Sequence, residues 1–303
     1  MALTFNNTEV KAVTYGGKEV NKVVYSGVTV WEKIQKLATP TIAIDGDTLK
    51  ITDVENAQRY KIYANGVLKG RVAKAGTLNS DFATATPKEL KNAVIVGQAA
   101  TLYAVGATKQ ITLKNGQTIT LRLANNTTDL YERADGSGTT GFVLEFVECF
   151  GTKYYMNSSV TNAGGWNACY MRTTVMPLIL AQLPDEWQEV VATVKIKAGN
   201  GHSTGNVVIE SDDKLFLPAE REISASRGNS AQTEWDVLTR WQWYAQHDTD
   251  ADRIKTFNGS PAWWWERSPG NSNSYIFCNV SGYGNSGSNT ASGSGGVAPA
   301  FCL

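Results

Sequence analysis

Apolar positions along the chain recur first at the spacing of strands, and only past the midpoint at the spacing of helices. Between residues 9 and 31, Val10, Val20 and Val30 correspond at a period of ten, as do Val13 and Val23, Tyr15 and Tyr25, and Gly17 and Gly27. These β-branched and aromatic residues, punctuated by Tyr-Gly-Gly and Tyr-Ser-Gly, predict a small β-meander. Three short strands bury no core of their own, so the segment must pack on something larger. Ile42 and Ile44, Leu49 and Ile51, and Tyr60 and Ile62 then alternate with polar partners, and Asn65-Gly66 marks a hairpin turn. Residues 72–95 read as a boundary, because Asp81, Thr84, Thr86 and Pro87 interrupt the pattern before Glu89 and Leu90, a short helical turn at most.

Beyond it, Ile111 and Leu113, the Asn115-Gly116 turn, and Ile119, Leu121 and Leu123 predict a second hairpin. Residues 142–147 predict a buried strand, and 213–218 another that leads into irregular chain. Gly164-Gly165 introduces a predicted helix over 166–176, ended near Pro177. A second short helix follows Pro184-Asp185, with the acidic first turn that helix starts prefer. Trp235, Leu238, Trp241 and Ala245 are spaced for a third helix over 235–247.

The C-terminal stretch departs from both periods. Trp263-Trp264-Trp265-Glu266-Arg267-Ser268-Pro269 and the closing Val297, Phe301 and Leu303 are apolar brackets around a run of Asn, Ser, Gly, Thr and Tyr. Such a run ordinarily reads as linker, but burying the closing side chains would stabilise the fold by roughly 1.5–3 kcal/mol each and hold the run at both ends. In a strand Trp264 would point opposite to Trp263 and Trp265, with at least one of them in the core and one able to flank a binding face. Arg267 is expected to order the base of the loops. Two readings of the run's composition stand: a displayed binding surface of rigid Tyr and adaptable small polar residues, or irregular loops whose Asn and Gly satisfy turns.

The frame WWWERSPG…FCNVSGYG…ASGSGGVAPAFCL resembles the C-terminal end of C-type-lectin-like target proteins of diversity-generating retroelements, which include phage tail adhesins and bacterial surface proteins. The stretches GGWNACYMRTT, DKLFLPAEREI and WWWERSP, in this order, extend the resemblance over roughly residues 96–303. It implies a fold akin to the formylglycine-generating-enzyme group: mixed α+β, with small twisted sheets, two main helices and much loop. It also implies that frame residues stay fixed while those between them vary. The candidate ligand-binding positions are then Asn271, Ser272, Asn273, Ser274, Tyr275, Asn279, Ser281, Tyr283, Asn285, Ser286, Ser288, Asn289 and Thr290. The pattern of residues 10–32 resembles N-terminal segments of phage tail proteins, and residues 39–66 resemble the opening strands of fibronectin-type or immunoglobulin-like modules, though too short for a whole one.

Composition narrows the function. In 303 residues, 42% are hydrophobic and 18% charged, as an ordered globular chain requires, and Lys+Arg equal Asp+Glu at 28 each. No basic excess or stripe points to nucleic acid. No basic-then-apolar leader opens the chain and no apolar run matches a membrane span. Cys149, Cys169, Cys278 and Cys302 are widely separated among apolar neighbours and read as buried free thiols, with a Cys278–Cys302 disulfide as an alternative. Their spacing does not match the paired copper cysteines of formylglycine-forming enzymes, and His202 and His247 alone make no iron site. No Gly-x-Ser-x-Gly elbow supports a serine nucleophile. The run Asp248-Thr249-Asp250-Ala251-Asp252 begins like a calcium loop, but Arg253 and Gly259 stand where that loop needs Gly and Glu.

The resulting expectation is an α+β protein with a C-type-lectin-like C-terminal domain preceded by small all-β segments. Residues 1–37 are a β-meander for docking or oligomerisation, 38–80 a reduced Ig/fibronectin-like spacer and 81–95 a linker. Residues 96–303 are the ligand-binding domain, with its diversified segment at 262–303. The chain is expected to be a phage tail-tip receptor-binding protein rather than an enzyme, with no cofactor or metal and no nucleic-acid or membrane partner. Its partners would be a host surface protein or glycan, other virion tail proteins and, as a homotrimer, copies of itself. The alternative is a bacterial or prophage-encoded surface binding protein of the same fold without diversification.

Overall fold

The computed structural model describes residues 78–303 throughout, and within 1–77 only the backbone of short strands. Those strands pair as hairpins: Thr4–Phe5 with Thr8–Glu9, Val13–Tyr15 with Lys18–Val20, Lys22–Tyr25 with Val28–Glu32, Ile42–Asp45 with Thr48–Ile51, and Arg59–Ala64 with Val67–Ala73. Beyond this pairing, the expected docking meander and spacer lie outside the described residues. The chain divides into two units, Met1–Gln58 and Arg59–Leu303.

In the second unit the expected linker is structured. Thr86 Oγ1 accepts the Glu89 N–H at 3.3 Å, and the Glu89 carboxylate accepts the Thr86 N–H at 2.7 Å. This reciprocal cap, with Pro87 at the start, nucleates helix α1 (Pro87–Ile95) where a single turn was expected. Leu90 and Ala93 on its inner face join Phe82 and Ala85 in the hydrophobic core.

Five antiparallel strands form the main sheet. The predicted second hairpin is β1 (Thr108–Thr112) and β2 (Thr118–Glu132), and the predicted buried strand overlaps β3 (Thr139–Phe146), which ends one residue earlier. The segment expected at 213–218 is divided between the end of one strand and the start of another. β4 (Val194–Gly199) and β5 (Val208–Asp213) make a separate hairpin, and β6 (Leu215–Phe216) joins the main sheet. Two further elements complete the strands near the C-terminal stretch: a hairpin of β7 (Lys255–Phe257) and β8 (Ser260–Ala262), and a three-stranded antiparallel sheet of β9 (Trp264–Pro269), β10 (Ile276–Val280) and β11 (Ser286–Thr290). The last strand, β12 (Ala300–Cys302), returns to the main sheet, whose order is β1-β2-β3-β12-β6. The end of the chain is therefore an interior strand, and the Leu303 carbonyl accepts bonds from Arg133 and Thr140 at 2.8 Å each. Short helices and small antiparallel sheets make the architecture α+β.

Two helix expectations need correction. Residues 166–176 are not one helix ended at Pro177. α2 (Ala99–Leu102) is followed by α3 (Gly165–Ala168), a π-helical turn over Met171–Val175, and α4 (Met176–Gln182). Pro177 sits near the start of α4, directly after the π-helical turn, and the helix runs on through it. The helix after Pro184 forms as α5 (Asp185–Gln188). After α6 (Glu220–Ile223), the expected helix over 235–247 is split into α7 (Gln232–Val237) and α8 (Gln242–Gln246). Between them the chain extends and sinks Trp241 into the core, where its indole N–H donates to Tyr131 Oη at 2.9 Å. Burial of Trp241 overrides the helical spacing of its neighbours.

Candidate functional site

Both apolar brackets are interior. Trp264 to Gly270 and Gly295 to Leu303 are buried, and Trp263 is partly buried, meeting Trp265 edge-to-face at 4.9 Å between ring centres. The Trp264 indole N–H donates to the Arg253 carbonyl at 3.0 Å and that of Trp265 to the Tyr154 carbonyl at 2.9 Å. Gly295 lies so close to Trp263 that an added Cβ would fall 2.2 Å from the ring, so the turn back into the core needs glycine there.

The polar run between the brackets divides into a loop, the hairpin β10–β11 and its turn. In the first loop Asn271, Ser272, Ser274 and Tyr275 are exposed and Asn273 is half-buried. Around the turn Ser281 is half-buried, Tyr283 is 83% exposed and Asn285 is exposed. β11 is the edge of its sheet, with Ser286 and Ser288 exposed and Asn289 and Thr290 partly so. Asn279 differs: it is 6% exposed on the central strand β10, opposite Gly287 on β11. A Cβ at Gly287 would lie 2.6 Å from the Asn279 Oδ1, so Asn279 packs under the edge strand instead of facing solvent.

The first loop is held from inside by Asn162, whose side chain is wholly buried. Its Nδ2 donates to the carbonyls of Gly270, Asn273 and Ile276 at 3.2, 3.0 and 2.9 Å, and its backbone N–H donates to Ser274 at 2.7 Å. His202 Nδ1 lies 2.6 Å from the Asn271 carbonyl, and Asn206 Nδ2 donates to Asn271 Oδ1 at 3.0 Å. The turn is held by Arg253, whose Nε donates to the Gly284 carbonyl at 3.0 Å, and by an Asn285–Asp250 hydrogen bond. Asp248 and Asp250 pair with Arg240 and Arg253, so the acidic stretch is tied down.

Beneath β11 lies a cluster of buried carboxylates. Glu220 accepts backbone N–H groups of Gly228, Asn229 and Ser230, the Ser230 hydroxyl at 2.6 Å and the Ser286 hydroxyl at 2.5 Å. Glu234 accepts Ser268 Oγ at 2.6 Å and the Gly199 N–H at 3.0 Å; burial raises its carboxyl to about 7 despite those bonds and Arg267. Glu266 is wholly buried and neither carboxylate oxygen has a hydrogen-bond partner. Burial, then Glu220 and Glu234, push its carboxyl well above the ordinary range. Burial and Glu220 likewise raise the Cys278 thiol. All four cysteines are buried free thiols, so the alternative of a Cys278–Cys302 disulfide is not formed.

The candidate positions drawn from the family resemblance reach solvent except for Asn279, and the residues that hold them are not among the candidates. Nothing local marks Asn162 or Glu220. Glu266 did carry a signal: an acid within a tryptophan run that is itself buried. A groove lined by Tyr131, Lys195, Lys197, Glu210 and Val237 includes none of the candidate residues.

Residues 141–303 match the family described as Domain of unknown function (DUF6273), and the chain belongs to that family. No curated protein and no solved structure matches it.

Proposed function

Within that family, we propose that this chain is a receptor-binding protein of a phage tail tip, an adhesin whose C-type-lectin-like domain presents residues 271–290 to a host-surface protein or glycan. One observation carries the reading: every candidate position except Asn279 reaches solvent, on a loop, a turn and an edge strand, while the brackets on both sides are buried. Exposed side chains on a fixed frame can be exchanged at little cost in stability, usually within about 0.5 kcal/mol each. A surface that varies without unfolding is what retroelement diversification needs. Tyr275 and Tyr283, 44% and 83% exposed, are the large apolar contacts of the face. Several copies on one particle, as in a homotrimer, would raise a modest affinity per face through avidity. The N-terminal segment would join the protein to other tail components.

Sequencing the 3′ end of the gene across a natural population tests this. Substitutions concentrated between residues 271 and 295, at codons matching adenines of a nearby template repeat, are expected. A uniform 3′ end removes diversification and leaves the alternative, a surface binding protein of fixed specificity. Binding of the purified protein to host cells, lost on combined Tyr275→Ser and Tyr283→Ser substitution, tests the face itself; unchanged binding sinks it.

A further inference from the structure

Glu220, Glu266 and Cys278 come from α6, β9 and β10, and one ligand atom of each lies within 4.8 Å of the others. All three side chains are buried. An acidic cluster alone proves nothing, because buried carboxylates are often satisfied by hydrogen bonds. Glu220 is satisfied in this way, although two of its donors are the rotatable hydroxyls of Ser230 and Ser286, which can turn to free an oxygen; Glu266 is not satisfied. Both oxygens of Glu266 lack a donor, at 0% exposure, in a cluster with a second carboxylate and a thiol. Arg253, the cation whose charge acts on it, has its guanidinium bonded to Gly284 and Asp250. An interior charge without a partner costs several kcal/mol unless it is neutralised or meets a cation.

We propose that Glu220, Glu266 and Cys278 are the ligands of a buried divalent cation of the zinc class. The donor set selects the metal. Calcium and magnesium take oxygen ligands and have no use for a sulfur, whereas zinc accepts mixed thiolate and carboxylate donors in a tetrahedron. Bond lengths of about 2.0–2.2 Å to oxygen and about 2.3 Å to sulfur hold such donors roughly 3.5–4 Å apart, so a slight inward closure of the three side chains makes the site. Binding displaces the Cys278 thiol proton and the proton of the buried Glu266 carboxyl to solvent, and a water would complete the fourth position. The metal would tie α6 to the β9–β10 pair directly under β11, since Ser286 bonds Glu220 and Ser288 lies opposite Cys278 in register. It would act as a staple under the exposed edge strand, whatever that strand binds.

The test uses the full chain. The protein is purified from zinc-supplemented cells for elemental analysis, and a second sample is unfolded with chelator and refolded with cobalt(II), which reports thiolate ligation by a near-ultraviolet charge-transfer band. One equivalent of metal per chain and a cobalt–thiolate band are expected. The band should vanish in Cys278→Ser, and Glu266→Gln should weaken cobalt binding by about tenfold or more. Metal below about a tenth of an equivalent in both wild-type samples overturns the proposal, as does a cobalt band that survives Cys278→Ser. Because these readouts include wild-type protein, they hold even if a variant fails to fold. A wild type without metal, with Glu266→Gln at least as stable, would identify Glu266 as a neutral buried acid.

Discussion

Arg267 and Glu222 form a two-pronged ion pair, at 2.5 and 2.7 Å, between side chains that are 0% and 1% exposed. Tyr131 Oη donates to the same Glu222 at 2.6 Å, and the Leu217 carbonyl accepts from Arg267 at 2.9 Å. The neighbour of Arg267 along the chain, Glu266, has no such partner. The two are delivered inward by a β-bulge: Trp265 pairs with Asn279 and Pro269 with Phe277, so β9 spends extra residues between those pairs.

Removing one half of this pair leaves an uncompensated interior charge. Arg267→Met is expected to destabilise the protein by about 3–5 kcal/mol, read as a fall in the urea midpoint. Combining it with Glu222→Gln should recover part of the loss, because the charge left behind is then gone too.

Glu234 gives a pH dependence of definite sign. Its carboxyl is raised from an ordinary 4.5 to about 7, so the folded protein keeps a proton that the unfolded chain releases. The linked stability is present below about 4.5 and is lost as pH rises through 7, by at most about 3 kcal/mol. Subtracting the profile of Glu234→Gln from that of wild type, both refolded with chelator, isolates this group from the acid-sensitive carboxylates. A flat difference would count against the assignment.

The thiols should be inert in the folded state. Burial lifts Cys149 to about 11 and Cys169 to about 12, and raises Cys278 and Cys302 as well. A thiol-reactive dye should label none of the four in native, metal-free protein and all four after unfolding.

Loop support and loop display should separate under mutation. Asn162→Ala removes the donor shared by Gly270, Asn273 and Ile276; it is expected to cost roughly 1–3 kcal/mol and to speed hydrogen exchange over residues 270–276. Tyr283→Ser, at 83% exposure, should change stability by less than about 0.5 kcal/mol.

Gly284 is a sharper case of support. At φ +88° an added Cβ would fall 1.7 Å from the Asp250 carbonyl, so Gly284→Ala must displace the turn that presents Tyr283 and Asn285. A loss of about 2 kcal/mol or more in thermal unfolding is expected.

Local chemistry by itself determined the hairpin at Asn115-Gly116, the buried strand near Phe142, the helix after Pro184 and the burial of Val297, Phe301 and Leu303. Turn residues and apolar runs act over a few positions, and no distant partner was needed to read them. The candidate positions between the brackets follow from the family resemblance, and all but Asn279 reach solvent. Only the tertiary structure decided the rest. Trp241 left a helical pattern because Tyr131 and the core lay beyond it, and Pro177 continued a helix that a π-helical turn leads into. The bulge at Glu266 to Ser268 turned both members of an acidic-basic dipeptide inward. Glu220, Glu266 and Cys278 met because three separate elements converge beneath one edge strand, and that convergence depends on packing between residues up to 58 positions apart in the chain. Short-range patterning carries no record of such a distance.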